Sequence, residues 1–162
     1  MDKETSRSKP KKSGIAASGE GAQIQSLING VIKAIRARDI EGILAAYSPE
    51  AVVYDIRDSL QYGKETLRKA WEECFAMSKT FSTEIHQLRI KIDGGVAFSH
   101  ALTHAMGATS DGGKIDMWFR LTTCYSRSEG RWQVVHEHAS VPGDFVSGKI
   151  LAELKPEKNI GH

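Results

Sequence analysis

The hydrophobic pattern of the N-terminal half predicts three helices. Across residues 23–38, apolar side chains recur at intervals of three and four, as on one face of an amphipathic helix. Asp39 is expected to cap a shorter second helix that runs to about Tyr47 and that Pro49 helps to end. A third helix is predicted for residues 64–77, again with one apolar face.

Beyond the third helix, the period of the pattern changes to two and predicts strands. A short β-rich run, residues 51–56, precedes that helix, and four long alternating runs follow it: residues 81–92, 96–106, 114–127 and 132–142. Glycine-containing turns join the long runs as hairpins. The pattern therefore predicts an α+β fold in which helices lie on one side of an antiparallel meander.

The composition is that of one domain with a substantial core. The chain has 162 residues, of which 40% are hydrophobic, and no apolar run approaches the ~20 residues that span a bilayer. The start is basic but is not followed by the apolar segment of a secretory signal. Cys74 and Cys124 lack metal-binding spacing and indicate reduced thiols. We therefore expect a cytoplasmic protein with no contact to membranes.

The charge is concentrated near the N-terminus. Residues 1–20 carry five basic and three acidic side chains, a balance of +2 that equals the net charge of the whole chain. This segment has no aromatic residue to stack on bases, so nucleic acid is not an expected partner. We expect a disordered basic tail at 1–20, a folded domain at 21–156 and a short tail at 157–162; recruitment to an anionic partner is a weaker alternative for the basic tail.

The last predicted strand is polar on both faces. Trp132, Val134, His136 and His138 would share one face, whereas Glu137 and its alternate neighbours would share the other. Polar groups at the middle of a strand are poor core material. This strand is therefore expected to have a functional role.

Several segments resemble a known superfamily. The stretch IRARDIEGILAAYSPEAVVYDI resembles the opening of ketosteroid isomerase, and KIDMWFR, RWQVVHEHASVP and GKILAELKP resemble bacterial SnoaL-like proteins. The end of the last strand also resembles the association domain of calcium/calmodulin-dependent kinase two. The resemblance implies the nuclear transport factor two-like fold: a cone-shaped curved antiparallel sheet, or cystatin-like roll, with three N-terminal helices packed on its concave face.

The resemblance also implies a pocket on the concave face. Asp55 occupies the position of the general base of ketosteroid isomerase, and an apolar pocket would favour proton transfer by this carboxylate. Hydrogen bonding of Asp55 to a turn amide is an equally open interpretation. Val31 stands where that enzyme has its oxyanion tyrosine, and the second aspartate position falls near Thr122, which argues against the same steroid chemistry.

Further candidates surround this pocket. Arg120 could hold a substrate oxygen, and Glu137 is expected to face inward as a third catalytic residue. The resemblance favours Val135, Glu137 and Ala139 facing inward, which leaves His136 and His138 toward a subunit interface. A β-bulge would reverse these faces, so both histidines remain candidates. The residues expected to bind ligand are Trp71, Phe75, His100, Trp118, Thr122, His136 and His138.

These observations lead to one functional hypothesis and one alternative. The hypothesis is a homodimeric SnoaL-like protein that binds a small hydrophobic, oxygen-bearing molecule and moves a proton without a cofactor. The alternative is a ligand-binding or homo-oligomerisation module without catalysis. Metal binding by His136 and His138, with His100 or Asp55 as a third ligand, is less favoured, because Val141 and Pro142 stand where a cupin-style site would have its glutamate.

Overall fold

The computed structural model describes residues 19–57 and 60–157, and it confirms the predicted α+β class and the order of elements. The helices are α1 (Gly19–Ala37), α2 (Ile40–Leu44) and α3 (Lys64–Met77). The strands are β1 (Tyr47–Tyr54), β2 (Ser78–Asp93), β3 (Val96–Thr109), β4 (Lys114–Ser128) and β5 (Arg131–Ser140).

The five strands form one curved sheet in the order β1-β5-β4-β3-β2. Strands β2 to β5 make the antiparallel meander that the sequence predicts. Strand β1 pairs with β5 in parallel, so the sheet is mixed and not wholly antiparallel as expected. The chain reaches this arrangement because α3 and the meander lie between β1 and β5, which allows the two strands to run in the same direction.

The helices cover one face of the sheet, which we call the inner face; the opposite face is the outer face. Ile24 of α1 and the α2 residues Ile43 and Leu44 are at most 1% exposed and lie in the core. Trp132 and Val134 of β5 join them from the sheet. The hydrophobic core thus lies between the helices and the inner face.

The ends of the first helix differ from the prediction. Helix α1 begins at Gly19, four residues early, and Glu20 in its first turn pairs with Arg127 of β4. Residues 19 and 20 therefore belong to the folded domain, whereas the rest of the expected basic tail lies outside the described residues. The predicted cap of α2 is confirmed, because the Gly42 N–H donates to Asp39 Oδ1 at 2.9 Å.

Helix α2 is shorter than predicted, and Tyr47 lies in β1. The helical spacing continues to Tyr47, but this residue pairs with Val134 of β5 and is only 4% exposed. A buried aromatic side chain on a strand gives the same local sequence signal as one on a helix. The expected 51–56 strand is accordingly displaced toward the N-terminus.

A β-bulge at Val135 sets the faces of β5. Cys124 of β4 is paired with His136 and Tyr125 is paired with Val134, which leaves Val135 as the extra residue. Val134 and Glu137 consequently both face inward although they are three residues apart. The predicted inward orientation of Glu137 is correct, but Val134 shares its face.

After β5 the chain returns toward the sheet. Gly143 and Ile150 form a bridge, and the Trp118 N–H of β4 donates to the carbonyl oxygen of Ala152 at 2.9 Å. None of the helices in residues 19–57 and 60–157 is long and apolar enough to cross a membrane.

Candidate functional site

A cavity of about 420 Å³ lies between the helices and the inner face of the sheet. A volume of this size holds a small organic molecule. Its walls are mainly apolar and include Leu27, Val31, Trp71, Phe81, Ala101 and Leu121. Met77 lines the cavity and is still 61% exposed, so its side chain marks the open side.

A row of polar side chains, the centre of a polar network, runs across three neighbouring strands on the inner face of the sheet. Ser99, Thr123 and Glu137 are successive partners on β3, β4 and β5, so strand pairing brings their side chains together. The Tyr47 hydroxyl donates to Glu137 Oε1 at 2.9 Å, and the Thr123 hydroxyl donates to Glu137 Oε2 at 3.4 Å. The hydroxyls of Ser99 and Tyr125 are 2.9 Å apart. Glu137 is therefore held in place from two sides.

The surroundings of Glu137 change its acidity. Burial raises the pKa of its carboxyl to about 7, and the negative charge of Asp55 adds to this effect; the hydrogen bonds from Tyr47 and Thr123 oppose it. Burial and the nearby Glu137 raise the pKa of Tyr47 well above its ordinary value, so Tyr47 stays a hydrogen-bond donor. At neutral pH, Glu137 can therefore either give or take a proton.

Asp55 is the second carboxylate of the cavity. It lies directly beyond the end of β1, two residues after Val53, which is the strand partner of Glu137. Asp55 accepts a hydrogen bond from the Ile56 N–H at 2.6 Å and pairs with Arg57 Nε at 3.1 Å. Asp55 thus both bonds to a turn amide and lines the cavity, so the two interpretations of this residue do not exclude each other.

Arg57 links Asp55 to helix α3. Its guanidinium donates to the carbonyl oxygen of Ala70 at 2.8 Å and lies 5.7 Å from the ring centroid of Tyr62. These contacts fix the guanidinium beside Asp55. The ion pair is therefore a rigid part of the cavity wall.

Two buried polar atoms in the cavity wall have no hydrogen-bond partner. Trp71 Nε1 and Thr103 Oγ1 belong to cavity-lining residues, and neither makes a hydrogen bond within the described part of the chain. Leaving such an atom unpaired costs about 1–3 kcal/mol. A ligand that bears oxygen atoms could satisfy both groups.

The structure divides the predicted site residues between two faces. Asp55, Glu137 and Trp71 line the cavity, as expected. Phe75 does not line it; the side chain is buried in the core beside Trp71, with 5.4 Å between the ring centroids. The remaining six lie on the outer face, away from the cavity: His100, Trp118, Arg120, Thr122, His136 and His138.

Four of these six, namely His100, Trp118, Arg120 and Thr122, were expected in the pocket, and their misplacement has one physical cause. Alternation shows which residues of a strand share a face, but not which face the helices cover. His100, Thr122 and His138 do form one row of strand partners, and Tyr54 of β1 extends this row. The side of the sheet was therefore wrong for the four residues of β3 and β4, whereas His136 and His138 face outward, as the resemblance favoured.

The sequence did not predict the four residues that surround Glu137 in the polar network: Tyr47, Ser99, Thr123 and Tyr125. One signal was available, because Thr123 falls between Leu121 and Tyr125 on an otherwise apolar strand face. A hydroxyl in such a position needs a polar partner. Arg57 was also missed, since it lies beyond the end of the strand.

Comparison with known proteins agrees with the fold, a curved sheet that helices cover on one face. A model of the SnoaL-like domain matches residues 24–144. The chain therefore belongs to the SnoaL-like domain family. No curated protein matches it.

Solved structures extend the comparison. A nuclear transport factor two-like protein of unknown function from Pseudomonas putida is 35% identical, with a TM-score of 0.77, and the match covers 88% of this chain and 100% of that one. A proposed kinase association domain (calcium/calmodulin-dependent, type two) from Xanthomonas campestris is 18% identical, with TM-score 0.68 and coverages of 81% and 94%. A proposed scytalone dehydratase from Novosphingobium aromaticivorans is 12% identical, with TM-score 0.67 and coverages of 75% and 83%. The last two show the shared fold alone.

Proposed function

We propose that the chain binds a small hydrophobic, oxygen-bearing molecule in the cavity and catalyses proton transfer on it. The observation that carries this proposal is the pair of carboxylates on one wall. Asp55 is ion-paired with Arg57, whereas burial lets Glu137 keep its proton up to about pH 7. Two acids with such different surroundings are suited to act as base and acid in one reaction.

In the proposed reaction, Asp55 is the base and Glu137 is the acid. Asp55 takes the proton from a substrate carbon next to a carbonyl group, and the electrons of that C–H bond form a new C=C bond. Protonated Glu137, oriented by Tyr47, donates a hydrogen bond to the oxygen on which charge develops. Trp71 Nε1 and Thr103 Oγ1 offer the further polar contacts that would orient the molecule.

Two outcomes are chemically possible from this intermediate. If Asp55 returns the proton to another carbon, the reaction is an isomerisation. If a hydroxyl group stands on the β-carbon, the C=O bond re-forms, the electrons of the new C=C bond shift to make a Cα=Cβ bond, and the C–O bond breaks. The hydroxyl leaves as water with the proton of Glu137, and both carboxyls regain their starting protonation by exchange with solvent. We favour this dehydration, since the fold is shared with a protein proposed to be a scytalone dehydratase.

Hydrogen exchange tests the proton transfer without knowledge of the natural substrate. The protein is incubated in D₂O with cyclic β-hydroxy ketones and β,γ-unsaturated ketones, and mass spectrometry follows deuterium uptake and water loss. Asp55→Asn should abolish the exchange and Glu137→Gln should lower it roughly 10²-fold or more. Thr122→Val, on the outer face next to cavity residue Thr123, is the matched control and should keep full activity. Equal rates for Asp55→Asn and the wild type would refute the assignment of the base.

The alternative is a binding or assembly module, and the outer face favours the assembly part of it. Val52, Tyr54 and Phe98 are large apolar residues of this face that are 36%, 40% and 46% exposed. We propose that these residues pair with a second copy of the chain. Light scattering should then report a dimer for the wild type and a monomer for Tyr54→Glu; a monomeric wild type would contradict the pairing.

A further inference from the structure

We propose that Glu84, His86 and His104 form a binding site for one divalent transition-metal ion on the outer face of the sheet. This outer-face metal site is separate from the cavity, because Thr83 and Ile85 line the cavity while Glu84 and His86 alternate to the opposite side. The site also differs from the His136 and His138 pair that the sequence suggested.

Strand register brings the three side chains together. Glu84 and His86 are two residues apart on β2 and therefore share a face. His104 on β3 is the direct partner of Glu84 in the antiparallel pair. Directly opposed residues have Cβ atoms about 4.5–5.5 Å apart, and diagonal neighbours are still within reach of long side chains. The cluster is thus a product of the sheet itself.

The distances are compatible with a shared ion. One ligand atom from each residue lies within 4.8 Å of the other two. Glu84 Oε2 and His86 Nε2 are 3.4 Å apart. Ligands at bond lengths of about 2.1 Å around a tetrahedral ion are about 3.4 Å from each other. Small side-chain rotations would therefore complete the site.

His86 carries a second and independent signal. Its Nε2 atom is buried and makes no hydrogen bond within residues 19–57 and 60–157, although Glu84 is near. A buried ring nitrogen normally has a partner, so one that lacks it requires an explanation. A metal ion bound to Nε2 would supply this partner.

Two contacts orient the ring of His104 in this site. Its ring stacks on Trp118, with 4.3 Å between centroids and 9° between planes, and its Nε2 lies 2.7 Å from Asp116 Oδ1. Carboxylates commonly orient metal-binding histidines in this way. The other Asp116 oxygen accepts from Lys114 Nζ at 2.6 Å, which holds the carboxylate in place.

The donor set determines the class of ion. Two imidazoles and one carboxylate suit Zn²⁺, Co²⁺ or Ni²⁺, whereas Mg²⁺ and Ca²⁺ prefer oxygen ligands alone. Exposed positions remain for water, since the side chains of Glu84 and His86 are 50% and 41% exposed.

Zinc titration of tag-free, chelator-treated protein tests the site. Isothermal calorimetry with ZnCl₂ should give one ion per chain for the wild type. Glu84→Gln and His86→Ala should each weaken the affinity roughly ten-fold or more, with unchanged circular dichroism. The double variant His136→Ala/His138→Ala, on the same face, is the control and should bind as the wild type does. Wild-type protein that binds no Zn²⁺, or binding that only the control variant loses, would overturn the proposal.

Trp118 gives an independent readout. Its ring contacts His104 and lies 4.9 Å from the His86 ring, so a bound Ni²⁺ should quench its fluorescence. In His86→Ala the quenching should require roughly ten-fold more Ni²⁺ or more, and in Trp118→Phe it should be reduced. Quenching that is equal in the wild type and in His86→Ala would place the ion elsewhere and refute the site.

Discussion

Replacing Glu137 by glutamine should change how the stability of the protein depends on pH. The carboxyl has a pKa of about 7 in the folded chain, against about 4.5 when unfolded. The native state holds the proton more firmly than the unfolded chain does, so protonation of Glu137 contributes to the free energy of unfolding. This contribution is fully present below pH 4.5 and is lost as the pH rises through 7. Glutamine does not titrate and keeps one oxygen acceptor for Tyr47 and Thr123.

The expected size of the effect follows from the same values. A difference of about 2.5 pKa units corresponds to roughly 3 kcal/mol when the titration is complete, at about 1.36 kcal/mol per unit. Between pH 5 and pH 8, the free energy of unfolding of Glu137→Gln should therefore rise by roughly 2–3 kcal/mol relative to the wild type. This comparison removes the titrations that the two proteins share.

Urea unfolding followed by circular dichroism at several pH values measures this difference. The outer-face variant Thr122→Val should show the pH dependence of the wild type, because it leaves the polar network untouched. A difference between Glu137→Gln and the wild type that stays constant from pH 5 to pH 8 would refute the reasoning. It would mean that Glu137 is solvated like an ordinary surface acid.

Three further predictions concern Tyr47, Thr103 and Asp39. Tyr47→Phe removes a hydrogen bond that lowers the pKa of Glu137, so this pKa should rise. In a plot of proton-transfer rate against pH, the fall in rate at high pH should therefore shift to a higher pH. Thr103→Val removes an unpaired buried hydroxyl and should raise the stability of the ligand-free protein by about 1 kcal/mol in urea unfolding, while ligand affinity falls. Asp39→Ala removes the cap of α2 and should cost about 1 kcal/mol in the same assay.

Local sequence signals predicted the elements of this fold well. The bounds of α3 were predicted without error, since one amphipathic face lies between a glycine turn and a change of period. The hairpin turns were equally clear. Tyr47 was assigned to the wrong element because burial on a strand and on a helix face both require an apolar residue there.

The candidate site was harder to predict, since it depends on long-range pairing. Asp55, Trp71 and Glu137 were found by resemblance and face assignment, and they do line the cavity. The hydrogen bond between Tyr47 and Glu137 joins residues 90 positions apart, and no local pattern reports it. The pairing of Glu84 with His104 is equally invisible before the register of β2 and β3 is known.

The bulge at Val135 has a consequence for how such proteins could diversify. It allows β5 to present Glu137 to the interior while His136 and His138 face outward. If the extra residue lay beyond His138 instead, the same strand would offer two imidazoles to a bound molecule and no carboxylate. One sequence thus contains two possible sets of reactive groups, and the position of a single unpaired residue selects between them. Descendants of this scaffold could exchange acid chemistry for histidine chemistry by moving that irregularity, with the helices and the remaining strands unchanged.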